Sequence, residues 1–244
     1  MTVPDRNRQR VAEVIAQELR GAGPGDVPER LCTAAVRLLP VTGASVSLRG
    51  EGMPVPVSAS SDQAAHLMDL QATLGDGPCL WAAETGAPVF ASDLTAGLDA
   101  SRWPVFAQQA AAAGVSAVYA LPLGDRAVCV GTLDLYRDRP GELAADEVRT
   151  ARLVADVLTV ALMALPRGEE AGRYGDDVWL SRLATGHDGV HQAVGMVMAQ
   201  RGVSPDEALA LLRARAFAKG RTVRDLSQDV VHGTTHFDGS EEGD

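Results

Sequence analysis

The sequence pattern changes at residues 166–175, and this change constrains the fold of the chain more than any other feature. The segment reads PRGEEAGRYG, and its glycine, proline and charged residues are typical of a linker between domains. Alternating patterns that predict β-strands occur before it, whereas only helical patterns follow it. The 244 residues therefore predict two domains of different class.

The first part, residues 27–165, predicts an α+β domain built on an antiparallel sheet. An N-terminal helix within residues 1–26 precedes it. Two pairs of alternating segments predict hairpins, and a short strand lies between them: 44–49 with 54–59, 116–123 with 126–136, and 88–91. Apolar residues at helical spacing predict helices that flank the sheet: 5–20, a second after Pro28, 63–73, 103–113 and 144–165. The apolar face of the last helix is also expected to pair with a second copy of the chain.

The second part, residues 176–235, predicts a small all-α domain of three helices over 176–200, 205–218 and 223–231, the first open to breaks at Gly186 and Gly189. Ser204 and Thr222 stand where helix N-caps are expected. Residues 236–244 are predicted to form a disordered acidic tail. Apolar residues at i, i+3 and i+4 spacing are interpreted as its core: Val194, Val197, Met198, Ala208, Leu209, Leu211, Leu212, Ala216, Phe217, Leu226, Val230 and Val231.

A local excess of positive charge stands out in a chain of net charge −10. Five cations fall within twelve residues that contain no acid: Arg213, Arg215, Lys219, Arg221 and Arg224. Such a run is often only a solvated helix face. The alternative interpretation is a phosphate-binding edge, because the planar arginine fork pairs with phosphate through two hydrogen bonds.

Several motifs in the second part resemble the ANTAR domain, an RNA-binding antitermination module built as a three-helix bundle. The resemblance rests on the segments 191–198 (HQAVGMVM), 204–208 (SPDEA), 212–218 (LRARAFA) and 220–226 (GRTVRDL). It implies RNA contacts through the first helix and the cation cluster, namely by His191, Gln192, Gly195, Met196, Arg213, Arg215, Lys219, Arg221 and Arg224. For Gly195, close helix packing is an equal alternative to close approach of RNA. Ser227 stands where alanine is commoner in that family.

The first part resembles the GAF domain, which often accompanies ANTAR in bacterial regulators. The matching segments are 75–79 (GDGPC), 87–89 (APV), 93–94 (DL), Trp103 with Phe106, 120–123 (ALPL) and 131–136 (GTLDLY). The resemblance implies a small-molecule pocket near residues 75–79 and Trp103, or a dimerisation role. Together the two families imply a homodimer that senses a signal and binds paired stem-loops in nascent transcripts. The ligand-binding residues stay unassigned.

Other functions are disfavoured by the residues themselves. Dinucleotide-binding, Walker, zinc-protease and hydrolase motifs do not occur, so we expect no enzyme, no catalytic residues, no metal site and no cofactor. Cys79 is interpreted as a packed residue, and a single histidine in this region, His66, is a weak haem ligand. The longest apolar stretch is too short for a bilayer and no secretory signal is seen, so we expect no membrane contact and a cytoplasmic location. Two alternatives stay open: a DNA-binding helix-turn-helix regulator with a GAF sensor, and an interaction module that binds no nucleic acid.

Overall fold

The computed structural model describes residues 3–50, 52–124, 128–164 and 177–237, with side chains from residue 8 in the first helix and from residue 189 in the eighth. The predicted linker at 166–175 lies outside the described residues. The elements of the first part are α1 (Val3–Glu18), α2 (Val27–Leu38), β1 (Gly43–Arg49), β2 (Pro54–Ala59), α3 (Asp62–Leu74), α4 (Pro78–Thr85), β3 (Val89–Ala91), α5 (Gly97–Arg102), α6 (Pro104–Ala112), β4 (Ala117–Gly124), β5 (Cys129–Arg137) and α7 (Ala145–Ala164). The second part contains α8 (Asp177–Arg201), α9 (Pro205–Ala218) and α10 (Val223–Val231).

Five antiparallel strands form one sheet in the order β2-β1-β5-β4-β3. The two predicted hairpins are present as β1-β2 and β4-β5, and they meet because β1 pairs with β5. Val46, for example, lies opposite Ser58 on one side and Leu133 on the other. The predicted α+β class, an antiparallel sheet flanked by helices, is confirmed.

The two faces of the sheet differ in polarity because successive side chains of a strand point to opposite faces. Alanine, valine and leucine side chains cover one face, where Val46, Leu133 and Leu135 share a core with residues of α1, α2 and α7. Val11 and Ile15 of α1 belong to this core, so the N-terminal helix packs in the same layer as α2. Buried serine, threonine, aspartate and tyrosine side chains occupy the opposite face, against α3 and α4.

Two short helices were not anticipated from the sequence, α4 and α5. The segment 75–78 was interpreted as a helix breaker, and it does end α3, with Gly75 in the left-handed conformation (φ 67°). The same segment also starts α4, because Pro78 occupies the first helical position. The segment 75–78 therefore ends one helix and starts the next. Helix α4 lies beside β4 and β5 on the polar face of the sheet.

Helix α7 uses its apolar stripe inside its own domain. Ala151, Leu158 and Leu162 are buried in the core shared with α1 and α2. The part of the stripe formed by these three residues is therefore covered within the chain, and the pairing of α7 with a second copy stays a prediction. The large apolar side chains that α7 exposes are Val160 and Met163.

The second part folds into the three helices expected. Helix α8 continues without a break across Gly186 and Gly189, and the bounds of α9 and α10 match the prediction. Most of the predicted core residues are buried or half-buried, but the ring of Phe217 is 45% exposed because its position on α9 faces outward. Phe237 is buried in the three-helix core, so the folded part extends two residues beyond the predicted boundary at 235.

Candidate nucleic-acid interface

Local capping fixes the helices that carry the predicted RNA-binding residues. Ser204 starts α9 by accepting a hydrogen bond from the Glu207 amide, while the Glu207 carboxylate accepts from the Ser204 amide at 2.9 Å. These hydrogen bonds from Ser204 lower the pKa of Glu207. Thr222 starts α10 in the same way by accepting from the Asp225 amide at 3.1 Å. The ends of both helices are thus set by the sequence next to them.

Helix α8 presents an exposed surface that includes three of its four predicted RNA contacts. His191, Gln192 and Gly195 are exposed, and Met196 is half-buried. A Cβ atom added at Gly195 would meet no described atom within 4 Å. Among the described residues, close packing of another helix therefore does not explain Gly195, and the surface around it is open to close approach by a partner.

Arg213 does not lie in solvent but against the sheet domain. Its Nε donates to the Ala72 carbonyl oxygen at 3.1 Å and its Nη2 donates to the Gly52 carbonyl oxygen at 2.7 Å. Burial lowers the pKa of its guanidinium, although the side chain remains a cation. A Cβ atom at Gly75 would come within 2.6 Å of Nη1, so glycine leaves the space that the guanidinium fills.

Arg224 lies at the start of α10, which contacts helix α3. Burial raises the pKa of the Asp69 carboxyl on α3, and the nearby charge of Arg224 acts against that rise. The amide of the preceding residue, Val223, donates to Oγ1 of Thr73 at 3.0 Å in a buried position. The start of α10 is therefore held against the end of α3.

Arg215 is engaged by the residues that follow α10. Its Nη1 donates to the His236 carbonyl oxygen at 2.6 Å, and its guanidinium lies 4.7 Å from the centroid of the Phe237 ring. Arg201 donates to the Phe237 carbonyl oxygen at 3.2 Å. Arg215 therefore packs against the C-terminal segment of the domain, in addition to any role at the surface.

Arg221 and Lys219 occupy a third setting. Arg221 forms an ion pair and hydrogen bond with Asp229, which raises the pKa of the arginine and lowers the pKa of the aspartate. Lys219 is exposed at the C-terminal end of α9. The five clustered cations are thus divided among α3, the segment at 236–237, Asp229 and solvent. They do not form the one continuous edge that the sequence suggested.

The sheet domain contains a buried polar layer that sequence reasoning missed. Nε2 of Gln71 donates to Asp134 at 3.2 Å, and Oε1 of Gln71 accepts from the Cys79 amide at 2.9 Å. The hydroxyls of Ser45 and Tyr136 are 2.8 Å apart. Burial raises the pKa of Asp134 to about 7, against the opposing effect of hydrogen bonds, first that from Gln71. Its Oδ1 atom has no hydrogen-bond partner among the described residues.

A cavity of about 150 Å³ lies next to this layer, between the β1-β2 hairpin, α4 and the start of β5. Among the residues that line it are Ser47, Met53, Cys79 and Thr132. A pocket was expected near residues 75–79 and Trp103. The cavity is lined by Cys79 of that segment but not by Trp103, which is buried in a separate core with Phe106. Burial raises the pKa of the Cys79 thiol well above its ordinary value.

The histidine that the sequence analysis considered as a haem ligand, His66, is exposed on α3. In the described ranges, no three histidine, cysteine or acidic side chains come together as metal ligands. None of the helices in those same ranges has the length and apolar character needed to cross a membrane.

These features define a class of protein: a sheet domain with a polar interior and a cavity, joined to a small capped helical bundle. The chain belongs to the GAF domain family, whose sequence model matches residues 22–163. The ANTAR domain model matches residues 180–231. The two resemblances predicted from the motifs are confirmed, and both domains are regulatory in kind.

Known structures show the same fold for the first part. One is a domain of a protein described as a two-component sensor histidine kinase from Sinorhizobium meliloti 1021, with 22% identity, coverage of 63% of this chain and 99% of that chain, and a TM-score of 0.50. The GAF domain of a phosphoenolpyruvate-protein phosphotransferase from Coxiella burnetii has 15% identity, coverage of 65% and 94%, and a TM-score of 0.50. Its counterpart from Acinetobacter has 10% identity, coverage of 72% and 98%, and the same TM-score. Among curated proteins, no sequence matches this chain.

Proposed function

We propose that this chain is a cytoplasmic regulator that binds paired stem-loops in nascent RNA as a homodimer and so prevents transcription termination. The ANTAR domain at 180–231 is the observation that carries this proposal. The GAF domain provides the sensory half, and its cavity beside Cys79 and Thr132 supports a small-molecule signal. In this arrangement one domain receives the signal and the other contacts the transcript.

The RNA-binding surface that we propose centres on the exposed side of α8. His191 and Gln192 supply hydrogen-bonding groups there, and the open position at Gly195 allows a backbone or base to come close. Lys219 adds an exposed cation at the end of α9. Phe217, which the sequence had placed in the core, adds an exposed ring of the kind on which unstacked loop bases stack.

We propose a regulatory and not a catalytic role for the GAF domain. Cys79 lines the cavity and carries a side chain that can act as a nucleophile. A reactive cysteine, however, needs a lowered pKa and some exposure. Cys79 has a raised pKa and is buried. Its thiol is therefore neutral at physiological pH, which supports the packing role.

The test is a titration of the full chain against an RNA with two adjacent hairpins and against a matched duplex DNA, at several salt concentrations. We expect the RNA to bind more tightly, with an affinity that falls as salt rises. Lys219→Ala should weaken RNA binding and reduce the salt slope by about one, because one phosphate contact is lost. Arg139→Ala, which removes an exposed cation at the end of β5, is the matched control and should leave both quantities unchanged.

Two results would contradict the proposal. Equal or tighter binding to the DNA would favour the helix-turn-helix alternative for α9 and α10. Binding to neither nucleic acid, with the chain folded, would favour an interaction module. Sedimentation of the full chain measures the homodimer separately, and a monomer at micromolar concentration would remove that part of the proposal.

A further inference from the structure

Two helix ends meet where the helical domain contacts the sheet domain. Helix α3 ends at Leu74, and α10 begins at Val223. The Val223 amide donates to Oγ1 of Thr73, and Arg213 donates to the Ala72 carbonyl oxygen. Contacts between α3 and both α9 and α10 surround these hydrogen bonds.

This contact satisfies groups that a helix leaves unpaired. The first amides and the last carbonyls of a helix have no partner within it. Here the first amide of α10 and a carbonyl near the end of α3 find partners across the domain boundary. Arg213 also places a positive charge at the negative end of α3, which is the favourable side of the helix dipole.

The sheet domain also completes the small hydrophobic core. Met53 and Ala72 are buried in the same cluster as Ala208, Leu212 and Val223 of the helical domain. Glycine at position 52 lets the hairpin come close, because a Cβ there would lie 3.3 Å from a methyl carbon of Leu209. The two domains therefore form a packed and hydrogen-bonded interface.

The residues that form this interface include two of the predicted RNA-binding cations. Arg213 donates two hydrogen bonds to backbone carbonyls of the sheet domain, and Arg224 is close enough to Asp69 on α3 for its charge to lower the pKa of that carboxyl. A guanidinium engaged in this way has to leave its carbonyl partners before it can pair with phosphate. Docking and RNA contact by Arg213 are thus mutually exclusive.

The same interface is continuous with the sensory cavity. Gly52 and Met53 line the cavity, and Gly52 also accepts from Arg213. On α3, Gln71 bonds to Asp134 and the next residue, Ala72, accepts from Arg213. A molecule that shifts the hairpin or the polar layer therefore acts on the acceptors that hold Arg213.

We propose that docking of the helical domain on the end of α3 is an autoinhibited state, in which Arg213 is withheld from RNA until a change at the cavity releases it. This inference rests on the proposed RNA-binding function. It predicts that a variant which weakens docking without changing any RNA-binding side chain binds RNA more tightly than the unaltered chain. The apparent affinity rises because a larger fraction of the protein is competent to bind.

Thr73→Val is the variant that tests this inference, and Thr150→Val is its matched control. Both threonines are 4% exposed and both donate to the carbonyl four residues earlier, Thr73 to Asp69 and Thr150 to Asp146. Thr73 in addition accepts from the Val223 amide, whereas Thr150 lies on α7. The comparison therefore separates the loss of a buried threonine hydroxyl within the sheet domain from the loss of the hydroxyl that accepts across the interface.

Two quantities are measured on the full chains: affinity for the two-hairpin RNA and hydrogen exchange of the Val223 amide. We expect Thr73→Val to accelerate the exchange and to tighten RNA binding by up to about tenfold, the cost of leaving one buried amide unpaired. Thr150→Val should change neither. Met53→Asp, which places a charge in the shared core, should open the interface by a second route and tighten binding in the same direction.

The outcomes separate this inference from the function on which it rests. Faster exchange in Thr73→Val or Met53→Asp with unchanged or weaker RNA affinity overturns autoinhibition, while salt-sensitive RNA binding by the unaltered chain leaves the proposed function standing. Unchanged, slow exchange of the Val223 amide in both variants also overturns autoinhibition, because it would show that Thr73 and Met53 do not hold the two domains together. If even the opened variants bind no RNA, the proposed function fails and the inference fails with it.

Discussion

The two domains treat buried polar groups differently. The sheet domain buries several of them in mutual hydrogen bonds, such as Ser47 with Thr132 at 3.1 Å and Gln71 with Asp134 at 3.2 Å. The core of the helical domain is apolar, and the fully buried hydroxyl of Ser227 within it has no partner among the described residues. In the first domain the polar groups of interest lie in the interior, whereas in the second they lie on the surface.

This difference matches the roles that we propose. A buried polar layer beside a cavity responds to a ligand or to pH, because its hydrogen bonds and charges depend on what enters. A capped helical bundle needs only a firm core to present its surface residues. Removal of a buried hydroxyl should therefore lower the free energy of unfolding in the sheet domain and raise it in the helical domain. The predictions below test this comparison, the titration of the polar layer and the surface of α8.

The largest effect is expected at Asp134, whose pKa of about 7 lies well above its ordinary value of 3.8. The folded state holds the proton to a higher pH than the unfolded state, so the stability from this group is fully present below about pH 4 and is lost as pH rises through about 7. Asp134→Asn removes the titration and should raise the free energy of unfolding by up to about 4 kcal/mol above pH 7. Thermal melting at several pH values between 5 and 8 measures the flattened profile.

Asp93→Asn is the control for that pH profile. Hydrogen bonds from the Thr95 side chain and backbone lower the pKa of Asp93, so its titration is complete below this range. Its pH dependence between 5 and 8 should match that of the unaltered chain. A profile for Asp134→Asn as steep as that of the unaltered protein would show that the polar layer does not titrate there.

A smaller effect of known sign is expected at Ser227. The structure buries this residue completely on α10, at a position where alanine is commoner in the ANTAR family. Ser227→Ala removes a buried hydroxyl without a partner and restores a better helix former, so the free energy of unfolding should rise by about 1 kcal/mol. Ser47→Ala should lower it, because the Thr132 hydroxyl then loses its partner. Chemical denaturation of the two variants compares the interiors directly, and equal signs would contradict the distinction.

The sequence predicted local features better than tertiary partners. Turns, alternating strands and capping boxes are written in neighbouring residues, which is why the sheet, α9 and α10 were found. The partner of Arg213 is Ala72, 141 residues away, and no spacing within α9 reveals it. Phe217 keeps core spacing but faces outward, and the bond between Gln71 and Asp134 depends on how α3 crosses the sheet. The cation cluster was therefore visible, whereas its division among separate partners was not.

The smallest change in stability is expected for glycine substitutions on α8, and these substitutions test the predicted RNA-binding surface directly. Gly195 and Gly189 both lie in α8, and a Cβ atom at either would meet nothing within 4 Å among the described residues. Alanine at each position should stabilise the helix by about 0.5–1 kcal/mol, because glycine loses more backbone entropy on folding. In addition, Gly195→Ala should weaken binding of the two-hairpin RNA, since its methyl group lies on the predicted contact surface. Gly189→Ala, outside the predicted site, should keep the affinity, and equal affinities for the two variants would show that the partner does not approach α8 at Gly195.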